Sequence, residues 1–202
     1  MARDRYWEIA WDLFPQSNAV QVLPRPGYVM PDRYANVPKR IDEHDLPDKV
    51  IELFSRPLGD ISAASQARFP KTIHCIGSLN AGGAERQLVN FLLEMANRGH
   101  RDQTLLTVYP LQGAGGHYGD LLRGADIRLM VNNAPIREEG VELIRNNYEI
   151  VQAIKAIPFS FNSWVLDLWV DIALEKPDFV HCWLDHPNIW GGIAAVLAGV
   201  PG

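Results

Sequence analysis

The sequence predicts an α/β protein: a Rossmann-like parallel sheet with strand order 3-2-1-4 and crossover helices, preceded by a Pro-rich, partly helical N-terminal extension. Three observations carry this prediction. From Lys71 onward, short β-rich apolar runs alternate with segments of helical periodicity, the pattern of a parallel sheet wrapped by crossover helices. Before that point stand eight of the chain's 14 prolines, at positions 15, 24, 26, 31, 38, 47, 57 and 70, and they prevent any long regular element. Finally, a glycine pair, Gly82-Gly83, falls between the first β-rich run and the first helical one, where open α/β sheets place a ligand-binding turn.

Taken in order, residues 1–70 form the extension, with short helices expected over 3–14 and 47–54. In the second of these, Leu46, Val50, Leu53 and Phe54 share one stripe, and Pro47 suits a first helical turn. Residues 71–202 form the Rossmann-like domain. Its first strand is Lys71–Gly77. The helix Ala84–Arg98 places Leu88, Phe91, Leu92 and Met95 at helical spacing and is closed by Gly99, suited to a left-handed C-terminal conformation. A second strand spans Gln103–Tyr109. The Gly-rich stretch Gln112–Gly116 then leads through Tyr118–Arg123 to a third strand, Ile127–Val131. Helices follow over Glu138–Ile157 and Trp164–Glu175, separated by Pro158, before a fourth strand at Asp178–Leu184. The last helix runs from about Pro187 to Ala198, ahead of Gly199 and Pro201. Right-handed crossovers give the order 3-2-1-4. A sheet ending on a strand as apolar as Phe179–Leu184 leaves an unpaired edge, so the chain is expected to be truncated before a fifth strand.

Composition excludes several classes. With 47% hydrophobic and 21% charged residues over 202 positions, the chain is globular rather than disordered. A net charge of −5 supplies no whole-chain attraction to nucleic acid. No apolar run approaches the roughly 20 residues that span a bilayer, and the N-terminus lacks the apolar core of a secretory signal, so a cytoplasmic location is expected. The two cysteines stand 107 positions apart, each in an apolar run; this is neither a disulfide framework nor a metal-ligand spacing, and buried free thiols are expected. Adjacent strands 1 and 4 should set Cys75 beside Cys182, unbridged. No carboxylate pair or His/Cys cluster has metal-ligand spacing, and no metal is expected.

The stretch Gly77-Ser-Leu-Asn80-Ala-Gly82-Gly83-Ala-Glu85-Arg86 carries the functional argument. Glycines at a helix N-terminus allow close backbone approach, and the free amides with the positive helix end favour a phosphate. Gly77 to Gly82 has the spacing of a nucleotide-triphosphatase loop, but Gly83-Ala84 stand where Lys and Ser/Thr are needed. A dinucleotide fingerprint requires an acid at the end of the second strand, and here that strand ends in Tyr109-Pro110.

The ordered motifs Ile76–Leu88 around the glycine pair, Arg98-Gly99-His100, Pro177-Asp178-Phe179-Val180-His181 and Ala198-Gly199-Val200-Pro201 resemble the N-terminal lobe of retaining GT-B glycosyltransferases of family 4, over residues 71–201. The resemblance implies two facing Rossmann-like lobes, the N-terminal one holding the acceptor and the C-terminal one, expected to be missing here, holding most of a nucleotide-diphosphate sugar. It implies transfer of that sugar to a glycan, lipid-linked or small-molecule acceptor with retention of configuration. No cofactor is implied beyond the donor substrate, and a lipid-linked acceptor leaves peripheral association with the inner face of a membrane open. The fragment alone is expected to be inactive.

Under this resemblance Gly82 and Gly83 approach the donor diphosphate and sugar, with Asn80, Glu85, Arg86 and Trp183 as loop or acceptor contacts. The alternative readings are that Glu85 complements the helix dipole and that Arg86 is a surface residue. Related enzymes often read His-x-His at the end of the fourth strand. Here His181 matches the first position and Trp183 occupies the second, so the catalytic candidates are Asp185, His186 and His181, with His181 alternatively a core histidine. His74 is read as structural, and Phe161, Trp164 and Trp169 as core packing more readily than as a sugar platform. The alternative to an enzyme is a non-catalytic interaction or scaffold module built on a Rossmann-like half-domain, with function in the Pro-rich extension.

Overall fold

A computed structural model describes residues 69–111, 116–131, 137–157 and 159–200. The N-terminal extension and its two expected helices lie outside the described residues, apart from Phe69 and Pro70. So do most of the Gln112–Gly116 stretch, Pro158, Pro201 and the Phe161 side chain. Strands β1 (Thr72–Ile76), β2 (Gln103–Thr107), β3 (Arg128–Val131) and β4 (Phe179–Cys182) pair in parallel in the order β3-β2-β1-β4. The helices are α1 (Gly83–Asn97), α2 (Gly119–Gly124), α3 (Glu138–Asn146), α4 (Tyr148–Ala156), α5 (Phe159–Glu175) and α6 (Asp185–Leu197). The expected α/β architecture is the observed one.

Element boundaries differ from the sequence reading where local side chains intervene. The helix expected over 138–157 is broken at Asn147, whose backbone leaves the helical region (φ −124°, ψ 52°). Its side-chain amide donates to the Leu143 carbonyl at 2.7 Å, satisfying one of the acceptors exposed at the end of α3. Helix α5 begins at Phe159 rather than Trp164. Helix α6 begins at Asp185, two residues before Pro187; a proline early in a first turn displaces no intrahelical hydrogen bond. Gly99 closes α1 as expected: it takes φ 85°, and the amide of His100 returns to the Met95 carbonyl at 2.9 Å.

Alternating strand residues serve two helical layers. Ile76 and Leu105 pack with Leu88 and Leu92 of α1 and Leu122 of α2. Ile73, Cys75, Leu106 and Val180 face Ile144, Val151, Trp169 and Ala194 from the other four helices. Fully burying each such side chain contributes roughly 1.5–3 kcal/mol, so the two layers hold the sheet from both faces. Cys75 and Cys182 are register partners, both free, with Cys75 buried and Cys182 half-buried. Their thiols hydrogen-bond to each other, and that bond together with burial holds Cys75 protonated well above the ordinary thiol range. Gly191 of α6 lies over the pair; a Cβ there would fall 2.8 Å from Cys182 Sγ and 3.3 Å from Cys75 Sγ, so this glycine sets how closely α6 approaches the sheet.

The amino edge of the sheet is tied by charge. The buried carboxylate of Glu175 accepts both guanidinium nitrogens of Arg128 at 2.5 and 2.7 Å and Arg137 Nη1 at 3.2 Å. Arg137 Nη2 reaches Asp171 at 3.0 Å, and Lys71 Nζ donates to the Glu175 carbonyl. Burial raises the Glu175 pKa, but the Arg128, Arg137 and Lys71 charges outweigh it and hold the carboxyl below its ordinary value. The Lys71 amide also donates to Asp178 Oδ2 at 2.8 Å, joining the starts of β1 and β4. No helix among the described residues is long and apolar enough to cross a membrane.

Candidate functional site

Strands β1 and β4 are neighbours, yet the helices that follow them, α1 and α6, pack on opposite faces. Their N-termini therefore flank a crevice at the carboxyl edge, the switch point at which open α/β sheets bind ligands. Backbone hydrogen bonds continue the ladder beyond the strands and fix its walls: Val108 N donates to Ile76 O at 2.9 Å, Tyr109 N to Gly77 O at 2.8 Å, and Trp183 N to Cys75 O at 2.8 Å.

On the α1 side, Leu79 is fully buried and anchors the glycine loop, while Asn80, Gly83 and Arg86 are exposed and Gly82 and Glu85 half-buried. Gly82 caps the helix in an extended conformation (φ −97°, ψ 170°) with no side-chain cap, and its carbonyl accepts the Arg86 amide at 3.1 Å. Neither loop glycine uses the left-handed region, so what glycine supplies here is space. A Cβ at Gly83 would meet nothing within 4 Å, whereas one at Gly82 would overlap the folded-back Glu85 carboxylate. Glu85 thus lays its own negative charge at the helix N-terminus, where an incoming anion would sit.

On the α6 side the backbone turns sharply. Leu184, half exposed, takes φ 70° and ψ 175°, a region nearly reserved for glycine, before the first helical turn presents Asp185, His186 and Asn188 to the surface. His186 is the most constrained of these: its Nδ1 lies 3.0 Å from the Tyr109 hydroxyl, and its ring stacks on Trp190 with centroids 4.7 Å apart and planes 2° from parallel. Trp190 in turn stacks with Trp164 at 5.3 Å and 5°, and Tyr109 meets Trp164 edge-on at 5.4 Å. Gly77 makes room for this group, since a Cβ there would stand 3.3 Å from the Tyr109 ring. Trp164 and Trp169 are buried core residues.

His181 sits elsewhere. It is exposed on the α1 face of β4, with its ring 4.8 Å from Trp183 and 5.5 Å from His74, and partial desolvation beside these rings lowers its pKa. The Trp183 indole packs against the α1-side core, so it shares that face with His181, and its buried Nε1 has no hydrogen-bond partner among the described residues. His74 is a core histidine: Nε2 lies 2.8 Å from Gln103 Oε1 and must donate to it, and burial pushes its pKa down to about 4. Among the described residues no three His, Cys, Asp or Glu side chains gather to hold a metal.

The structure therefore brings together Gly82, Gly83, Glu85, Asp185 and His186 around one edge and leaves His181 on a sheet face. Tyr109 and Trp190, absent from the sequence-derived candidates, complete the α6 wall. Trp190 had a legible signal, four residues after His186 on one helix face. Tyr109 had none, because its partner lies 77 residues away. Comparison with known protein families, curated proteins and solved structures finds no match to this chain.

Proposed function

We propose that the chain is the acceptor-side, N-terminal lobe of a retaining glycosyltransferase that moves a sugar from a nucleoside-diphosphate donor to a glycan, lipid-linked or small-molecule acceptor. The observation that supports this reading is the pairing of an uncapped, glycine-opened helix N-terminus with a rigid polar and aromatic wall across the β1–β4 switch point. In this reading the amides at Gly82 and Gly83 lie against the donor diphosphate, and Glu85 swings away to admit it. Asp185 and His186 reach the sugar; the Asp185 carboxylate accepts hydrogen bonds from its hydroxyls, whereas His186, whose Nδ1 is taken by Tyr109, offers its ring and Nε2 alone. A second Rossmann-like lobe closes the crevice and supplies the positive charge that stabilises the leaving diphosphate. His181 in this arrangement supports Trp183 rather than the reacting sugar.

The test is a titration of the 202-residue chain with uridine diphosphate glucose and guanosine diphosphate mannose, followed by the amide signals of Gly82 and Gly83. Gly83→Val should cut affinity by at least ~10-fold through lost backbone approach while leaving the melting temperature within a few degrees. Glu85→Gln should raise affinity by roughly 2- to 5-fold, the equivalent of one charge at a helix terminus. Donor-induced shifts that spare Gly82 and Gly83, or equal binding by Gly83→Val and the parent, would refute the reading.

A further inference from the structure

We propose that the imidazole of His186 is a stacking platform for a pyranose ring, with Tyr109 as its positioning residue. This rests on the sugar-transfer reading and adds to it the surface on which the sugar lies. Trp164 and Trp190 are only 8% and 5% exposed, yet His186, stacked parallel on Trp190, is exposed. One face of the imidazole lies against the indole, so the face through which a further ring could stack is the opposite one. The ring is the outward member of a three-ring stack, and a further ring extends the series.

Two contacts remove the freedom an exposed histidine ordinarily keeps. The Trp190 indole sets the plane of the ring, and the Tyr109 hydroxyl, 3.0 Å from Nδ1, sets its rotation within that plane. Tyr109 is itself held by its backbone amide on Gly77 and its ring edge on Trp164, so the platform is fixed from the sheet and not from a surface loop. A ligand therefore meets a ring whose ordering entropy is already spent, which favours weak stacking partners.

The surroundings select a pyranose over a nucleobase. On α6, exposed Asp185 directly precedes His186, and Ile189, 51% exposed, stands one turn on along the same helix face. An apolar side chain and a carboxylate near one ring match a molecule with a C–H face and a rim of hydroxyls. A nucleobase has a flat face but offers the carboxylate fewer donors.

The experiment follows the His186 side-chain signals and the Gly82 and Gly83 amides of the 202-residue chain while methyl α-D-glucopyranoside, uridine diphosphate and uridine diphosphate glucose are added in turn. The glucoside should shift the His186 ring signals, and uridine diphosphate alone should not. His186→Ala should abolish glucoside binding, while His186→Phe, which keeps a ring on Trp190 but loses the Tyr109 hydrogen bond, should bind it as weakly as Tyr109→Phe and no weaker. Tyr109→Phe keeps the edge contact with Trp164 but removes the hydroxyl; it should weaken glucoside binding by ~2- to 10-fold, the equivalent of one hydrogen bond, and shift the His186 ring-nitrogen signals. A purely structural Tyr109 would shift those nitrogen signals yet leave glucoside affinity unchanged. The inference is overturned if the glucoside leaves His186 unmoved, if His186→Ala binds it as well as the parent, or if uridine diphosphate alone moves the ring. Movement of Gly82 and Gly83 with an unmoved His186 would sink the platform and leave the sugar-transfer reading standing. Movement of His186 by the glucoside with Gly82 and Gly83 silent to the nucleotide sugar would keep the platform and sink the donor reading.

Discussion

The two edges of the sheet spend their polar groups in opposite ways. At the amino edge Glu175, Asp171, Arg128, Arg137 and Lys71 bind one another, and the two carboxylates are nearly inaccessible, with 7% and 4% of their side chains exposed. At the carboxyl edge Asp185, His186 and Asn188 stand on the surface, Leu184 holds a strained backbone, and a helix N-terminus is left uncapped. Polar groups that satisfy each other hold a fold together and have little left to offer a ligand. Groups held rigidly but left facing water cost stability and are available for binding. The difference separates a structural polar cluster from a candidate site without any appeal to known relatives.

The amino edge should carry the largest effect on stability. Glu175→Gln removes the carboxylate that pairs with Arg128, Arg137 and Lys71, and should destabilise the chain by ~3–5 kcal/mol, as expected when several charge-assisted hydrogen bonds to one carboxylate are weakened together. Denaturant unfolding monitored by tryptophan fluorescence measures it; a loss below ~1 kcal/mol would show that this edge is no more structural than a surface ion pair.

Next in size is a pH effect at His74. Its pKa falls from 6.5 unfolded to about 4 folded, so below pH 6.5 the unfolded chain takes up a proton that the folded chain refuses. Stability is then full above pH 6.5 and declines as pH drops toward 4, by up to ~3 kcal/mol for a shift of this size. His74→Asn should flatten that part of the profile. An unchanged slope between pH 6.5 and 4 in the variant would assign the loss to other groups, His181 among them. Glu175 contributes in the same direction at lower pH, because a depressed carboxyl loses its contribution as pH falls through its folded pKa.

The smallest of the three effects has the opposite sign. Leu184→Gly relieves a bulky residue from a glycine-type conformation and should raise stability by ~1 kcal/mol, even though glycine gains freedom in the unfolded chain. If strain at this turn aims Asp185 and His186, the same variant should loosen the His186 ring signals. A more stable protein with unchanged His186 signals would separate the strain from the site.

Strand order, the helix layers and the Cys75–Cys182 register follow from short-range information, because period, glycine closure and crossover handedness are written in consecutive residues. The same information misplaced the break at Asn147, whose decisive act is one side-chain hydrogen bond to Leu143, and the start of α6, where Leu184 enters a conformation that no local propensity favours. At the site, Gly82, Gly83, Asp185 and His186 were legible because turn chemistry and the switch-point rule mark loops at the carboxyl ends of strands.

By itself, then, the sequence determined which segments become strands and helices, the parallel order that makes neighbours of β1 and β4, and the glycine-opened edge on which a ligand would meet backbone. Only the tertiary structure decided the rest: that His181 lies across a sheet face from His186, that Glu85 folds over its own helix terminus, that buried charge gathers at one end of the sheet, and that Tyr109 clamps His186 on Trp190. The physical reason is range. Periodicity and turn preference act over a few residues, whereas a hydrogen bond across 77 positions or a salt bridge across 47 exists only once packing has set the distance between its partners.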